Sequence, residues 1–241
     1  MLEIRDLHFS ASSSGEKTDI LHGIDLTIPD HKFVVITGPN GGGKTTLARS
    51  IMGLVQPTGG SIHWNGTDIT HLSLTERAKL GICYGFQQPP RFKGLTVKDL
   101  LDMAAGTSLS HEDSCALLTR VGLCARDYIQ REVNASLSGG EVKRIEIATV
   151  LARKAELMLF DEPEAGIDLW SFSRLTDTFA ELRDERQGTI VVISHQERII
   201  SMADEVVLIA EGQVADMGKP EEMLPKMVGN LVHLCGKLAG K

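Results

Sequence analysis

Residues Gly38 to Thr46 (GPNGGGKTT) fit the spacing G-x-x-x-x-G-K-[ST]. Each residue type in that run has a physical job. In the run Gly38, Pro39, Asn40, Gly41, Gly42, Gly43 the glycines let successive backbone N–H groups converge on phosphate oxygens, Pro39 shaping the loop without an N–H of its own, and a helix N-terminus adds its partial positive charge to the same anion. Lys44 would reach the terminal phosphates as a point charge, Thr45 would place its hydroxyl on a phosphate-bound Mg²⁺, and Thr46 closes the cradle. A second cluster, LMLFDEP, ends an apolar run with adjacent carboxylates, Asp161 and Glu162. Asp161 is placed to hold Mg²⁺ through water, and Glu162 to polarise a water that attacks a terminal phosphate. Alone, an acidic pair after a strand is a solvated loop start; with the glycine run it predicts nucleoside triphosphate chemistry.

Such residues need strands and helices to hold them. Lys32 to Thr37 (KFVVIT) is a continuous β-branched run and reads as a buried central strand that feeds the glycine turn. A helix is expected from Lys44 through TTLARSIMGL, broken by Pro57, Gly59 and Gly60 before a strand and turn in SIHWNGTDI. At the start, LEIRDLHF and ILHGIDLTI read as half-buried strands, with SASSSGEKTD between them as a loop. From about Pro89 to Arg153 apolar residues recur at helical spacing, as in VKDLLDMAA and EVKRIEIATVLAR. Strand character returns in LMLF, TIVVIS and EVVLIAEGQV. Strands alternating with helices predict an α/β fold with a mainly parallel sheet covered on both faces.

Composition narrows the function classes. A net charge of -7 argues against broad binding of nucleic acid or anionic membrane, because both need a surplus of Lys and Arg on one face. The opening MLEIRDLHFS carries Glu3, Arg5 and Asp6 and lacks the apolar core of an export signal, and no apolar run approaches the ~20 residues of a membrane span. The expectation is a cytoplasmic protein with no direct membrane insertion. Cys83, Cys115, Cys124 and Cys235 form no CxxC pair and read as reduced thiols.

The segment LSGGE, Leu137 to Glu141, opens the EVKRIEIATVLAR helix with a hydroxyl residue and two glycines, a further backbone-donor cradle at a helix N-terminus. In order with the glycine run, Asp161–Glu162 and His195, it resembles the ATP-binding-cassette family of P-loop ATPases across nearly the whole chain. The resemblance implies residues 1–88 and 154–241 as a nucleotide-binding core with an N-terminal antiparallel β portion. Residues 89–153 would be an inserted helical subdomain that carries LSGGE. It implies that Ser138, Gly139 and Gly140 contact the γ-phosphate held by a second copy of the chain, so that two copies dimerise head to tail on two ATP molecules. Gln87, in GFQQP, matches the glutamine that senses Mg²⁺, Asp168 the aspartate that crosses to the other subunit, and His195 the histidine that contacts the γ-phosphate. One departure stands out. The family stacks an aromatic on adenine a few residues past the first strand, where this chain reads LHFSA and offers Ala11.

Finer stretches, REVNASLSGGEVKRIEI, DEPEAGIDLWSF with its acidic Glu164, and FQQPPRFKGLTV, are similar to the SufC-like branch of the family. That branch implies an ATPase working on a soluble SufB/SufD-like scaffold for iron–sulfur cluster assembly, with the scaffold docked around Gln87 to Val97. The alternative is the ATPase subunit of an importer, gripping a membrane permease through the same surface.

Overall fold

The computed structural model describes residues 1–13 and 16–227; Cys235 lies outside them. In chain order the strands are β1 (Leu2–Ser13), β2 (Glu16–Ile28), β3 (Phe33–Thr37), β4 (Gly59–Trp64), β5 (Thr67–Asp68), β6 (Ile82–Gly85), β7 (Leu157–Asp161), β8 (Thr189–Ile193), β9 (Glu205–Ala210) and β10 (Gln213–Gly218). The helices are α1 (Lys44–Met52), α2 (Leu74–Lys79), α3 (Val97–Ala105), α4 (His111–Arg120), α5 (Ala125–Tyr128), α6 (Gly139–Ala152), α7 (Leu169–Glu185) and α8 (Glu197–Ile200).

The strands make two sheets. One runs β10-β9-β3-β8-β7-β6, with β9, β3, β8, β7 and β6 parallel and β10 antiparallel at the edge. Its inner strands are apolar at almost every position because side chains alternate between two buried faces. Phe33, Val35, Met158, Phe160, Ile190 and Val192 point into a core roofed by α6 and α7. Their chain neighbours Val34, Ile36, Leu157, Leu159, Val191 and Ile193 point the other way, onto Leu47, Ala48 and Ile51 of α1 and the inner face of the second sheet. Phe179 of α7 meets Phe33 and Phe160 edge-on, with ring centroids 6.0 and 5.1 Å apart.

The second sheet is antiparallel, β2-β1-β4-β5. Here Leu2, Ile4, Leu26, Ile28, Ile62 and Trp64 form the inner face. Within the stretch expected as a loop at residues 10–19, residues 10–13 and 16–19 instead continue the hairpin, paired from Leu2↔Ile28 to Ser13↔Glu16. Hydroxyl residues sustain the ladder there, and Ser10 Oγ donates to Asp19 Oδ1 at 2.6 Å. Because Ser12, Lys17, Thr18 and Asp19 are exposed, no apolar alternation announces this end of the hairpin in the sequence.

Between β6 and β7 the chain is helical. A β-bridge between Thr96 and Glu132 and the bond from Val97 N to Arg131 O, 2.9 Å, tie the start of α3 to the segment that leads into α6. On the outer surface the first turn of α7 presents Leu169 and Trp170, the latter 84 % exposed. Among the described residues, no helix is long and apolar enough to cross a membrane.

Candidate functional site

β3 delivers the chain into the glycine run, and α1 leaves it. Gly38, at φ 137°, is dictated by contact: a Cβ there would lie 1.9 Å from the carbonyl oxygen of Ile209 on β9. Gly43, at φ 104°, precedes α1, which has neither a side-chain cap nor an acidic residue in its first turn. Its orphan N–H groups therefore face the loop with no internal anion to satisfy them. Lys44 is buried and straps the loop, its Nζ donating to Gly38 O at 2.8 Å and Pro39 O at 2.9 Å. Burial holds the lysine below its usual pKa, opposed by the charges of Glu162 and Asp161. A cavity of about 450 Å³ opens here, lined by Asn40 to Thr46, Gln87, Glu162 and, from β2, Ile20.

The carboxylates arrive on β7. Asp161 is fully buried, accepting from Thr45 Oγ1 on one oxygen at 3.0 Å and from the Tyr84 hydroxyl on the other at 2.8 Å. Burial, then the Asp161 charge, pushes the Tyr84 phenol up, so it remains the donor. Glu162 stands one residue further in a left-handed backbone, φ 45°, its N–H bonded to Ile193 O at 3.0 Å. That conformation costs on the order of 1–3 kcal/mol for a residue with a side chain and turns the carboxylate into the cavity. Glu162 accepts from Gln87 Nε2 at 2.7 Å and faces His195 Nε2 at 3.9 Å. Burial, then the Lys44 charge, lowers the imidazole's pKa, with Glu162 opposing. Thr45 Oγ1 and the Asp161 carboxylate are adjacent hard oxygens of the kind Mg²⁺ takes, and the glycine cradle beside them suits phosphate.

Ser138, Gly139, Gly140 and Asp168 do not line this cavity. Ser138 caps α6 in a reciprocal box, its N–H donating to Glu141 Oε2 at 2.6 Å and its Oγ accepting from Glu141 N at 3.2 Å. The Tyr128 hydroxyl, then the Ser138 donors, hold the Glu141 carboxyl down to about 2 against the opposing effect of burial. A Cβ on Gly140 would meet Gly166 O at 3.5 Å, so the turn before α7 lies against the start of α6. Asp168 spends its carboxylate capping α7, accepting from Trp170 N, Ser171 N and Ser171 Oγ.

Three further residues stand outside the nucleotide motifs. Tyr84 sits in a short strand without a motif, and Ile20 reaches the cavity across the sheet. Glu164, similar in sequence only to one branch, is tucked under Ser194, whose Oγ donates to it at 2.5 Å. Ala11 pairs with Thr18 and is not among the cavity's lining residues.

A glycine cradle on a helix N-terminus, with a lysine, a Thr–Asp pair and a forward carboxylate at the C-terminal ends of parallel strands, is the layout of a P-loop NTPase fold. The chain belongs to the ABC transporter family, whose sequence profile matches residues 21–165. It is 37% identical over 231 residues to an uncharacterised ABC transporter ATP-binding protein, MJ0035, of Methanocaldococcus jannaschii, covering 92% of this chain and 90% of that one. It is 33% identical over 208 residues to the sulfate/thiosulfate import ATP-binding protein CysA of a Synechocystis species, covering 84% of this chain but 57% of CysA. The fold superposes with a TM-score of 0.82 on the ATP-binding cassette MJ0796, solved as a dimer in a post-hydrolysis state with ADP and Pi, at 24% identity over 91% of this chain and 99% of that one.

Proposed function

We propose that the chain is the ATP-hydrolysing subunit of a transport machine, pairing with a second copy around two ATP molecules and passing the closing motion to a membrane permease. The observation that carries the ATPase reading is that Lys44, Thr45, Glu162 and Gln87 line one cavity of about 450 Å³, with Asp161 buried behind it and bonded to Thr45 Oγ1. Gly38 to Thr46 bind the phosphates, and Lys44 moves its ammonium from the loop carbonyls to the terminal phosphate. Thr45, Asp161 and Gln87 would hold Mg²⁺, which when bound would neutralise charge on the phosphate oxygens. Glu162 draws a proton from the attacking water, and His195 keeps its imidazole neutral beside the terminal phosphate. Ser138, Gly139 and Gly140 stand outside their own chain's cavity, as a cradle meant for a second copy's phosphate must. Asp168 crosses with them. Residues 89–153 act as a helical subdomain that carries that cradle and meets the permease, with the docking surface around Gln87 to Val97 and the subunit on the cytoplasmic side.

The relatives' names favour a permease over the soluble SufB/SufD-like scaffold of cluster assembly, and CysA's name, a sulfate/thiosulfate importer, favours uptake. Affinity purification from the native cell, with and without detergent, decides. A multispanning partner recovered only from solubilised membranes is expected; a stoichiometric soluble partner recovered without detergent overturns transport in favour of the scaffold.

A further inference from the structure

Phe86 stands immediately before Gln87, and side chains of one helix take both of its backbone polar groups. Its N–H donates to Glu146 Oε1 at 2.8 Å, and its carbonyl accepts from Lys143 Nζ. The two side chains are one turn apart on α6, with Nζ 3.3 Å from Glu146 Oε2 and side-chain exposures of only 1 % and 10 %. Burial raises the pKa of Glu146, with Lys143 opposing, and Oε2 has no hydrogen-bond donor in line. An ion pair this deep is an expensive way to fill a core, and an apolar pair of similar volume is often at least as stable. Its neighbours Val142, Ile145 and Ile147 are apolar. Neither charged side chain lines the nucleotide cavity.

What the pair does reach is the support of both carboxylates. Through the backbone it fixes the residue before Gln87, whose amide donates to Glu162. Through the ring it fixes Phe86 edge-on to Tyr84, centroids 5.0 Å apart, and the Tyr84 hydroxyl holds Asp161. The same helix opens with Ser138, Gly139 and Gly140.

We propose that Lys143 and Glu146 are positioning residues for hydrolysis, a buried ionic clamp through which the helix that begins at Ser138 sets Gln87 and Tyr84 against Glu162 and Asp161. The clamp rests on the reading of Glu162 as the base. It holds geometry and leaves the phosphate cradle untouched, so it governs turnover and not nucleotide affinity.

The test is steady-state ATPase kinetics and ATP-induced thermal shift on the full chain. Lys143→Met and Glu146→Leu are each expected to lower kcat tenfold or more with KM within about threefold of wild type, and to lower Tm because the remaining charge is left buried and unpaired. The double variant restores an apolar pair: Tm recovers while kcat stays low, since Phe86 is still unheld. Glu146→Gln, which keeps an acceptor for the Phe86 N–H, retains more turnover than Glu146→Leu. A double variant with wild-type kcat, or equal losses in the Gln and Leu variants, overturns the clamp if Glu162→Gln is inactive in the same assay. An active Glu162→Gln overturns the base assignment, and the clamp with it.

Discussion

Glu162 is held in a left-handed backbone, between a glutamine amide and an imidazole, and each neighbour keeps its carboxylate aimed into the cavity. Glu162→Gln keeps shape and hydrogen bonds but cannot take a proton. Turnover should fall at least a hundredfold while ATP still raises Tm, since Lys44 and Thr45 are unchanged. Persisting hydrolysis would remove Glu162 from its role. No aromatic residue is among those that line the cavity, where Ile20 is the one aliphatic side chain among the described lining residues, so affinity is expected to rest on phosphate contacts and GTP should compete with ATP within a hundredfold. Exclusion of GTP beyond that in a competition assay would mean that another residue reads adenine. Lys44, Thr45, Asp161 and Glu162 were legible because their spacing along the chain is itself the chemistry. Tyr84 and Ile20 were not, because what makes them matter is a neighbour 77 residues away in one case and a face of a hairpin in the other.

At the scale of elements, α6 carries its own acid-sensitive lock. Tyr128 of α5 donates to Glu141, the residue that closes the capping box on Ser138. The Glu141 carboxyl lies near 2 in the folded chain against an ordinary value of 4.5, so folding favours its ionised form. That contribution is complete above about pH 4.5 and is lost as pH falls toward 2. Tyr128→Phe should therefore cost about 1.5–3 kcal/mol in urea unfolding above pH 4.5, with the gap to wild type closing as pH approaches 2. A gap independent of pH would mean that the cost is packing alone. Element prediction succeeded where periodicity reflects two buried faces, as in Phe33–Thr37, and failed where the ladder is solvated, as at residues 10–19. The strand Ile82–Gly85 went unread because it is short and ends in a glycine, though all four of its residues are buried.

At the scale of the molecule, the described residues hold one glycine cradle and one LSGGE turn, and the second does not line the cavity of the first. If each copy completes the other's site, ATPase rate per chain should climb with chain concentration and level off only when copies are paired, as tethering them on one partner would also achieve. A dilution series over a hundredfold that leaves the rate per chain constant would establish a self-sufficient monomer. The partner itself was least legible in sequence, because the motifs encode contacts to nucleotide, whereas docking depends on a surface assembled from residues far apart in the chain. A different face, the one that the Asp168 turn offers to a second copy, can be watched without labels. The chain has two tryptophans, Trp64 at 3 % exposure beneath the antiparallel sheet and Trp170 at 84 % on the first turn of α7. Acrylamide in the solvent extinguishes the fluorescence of the second and spares the first, so native emission divides into a quenchable red component and a protected blue one. Anything that settles over the start of α7 will register as light that acrylamide no longer removes.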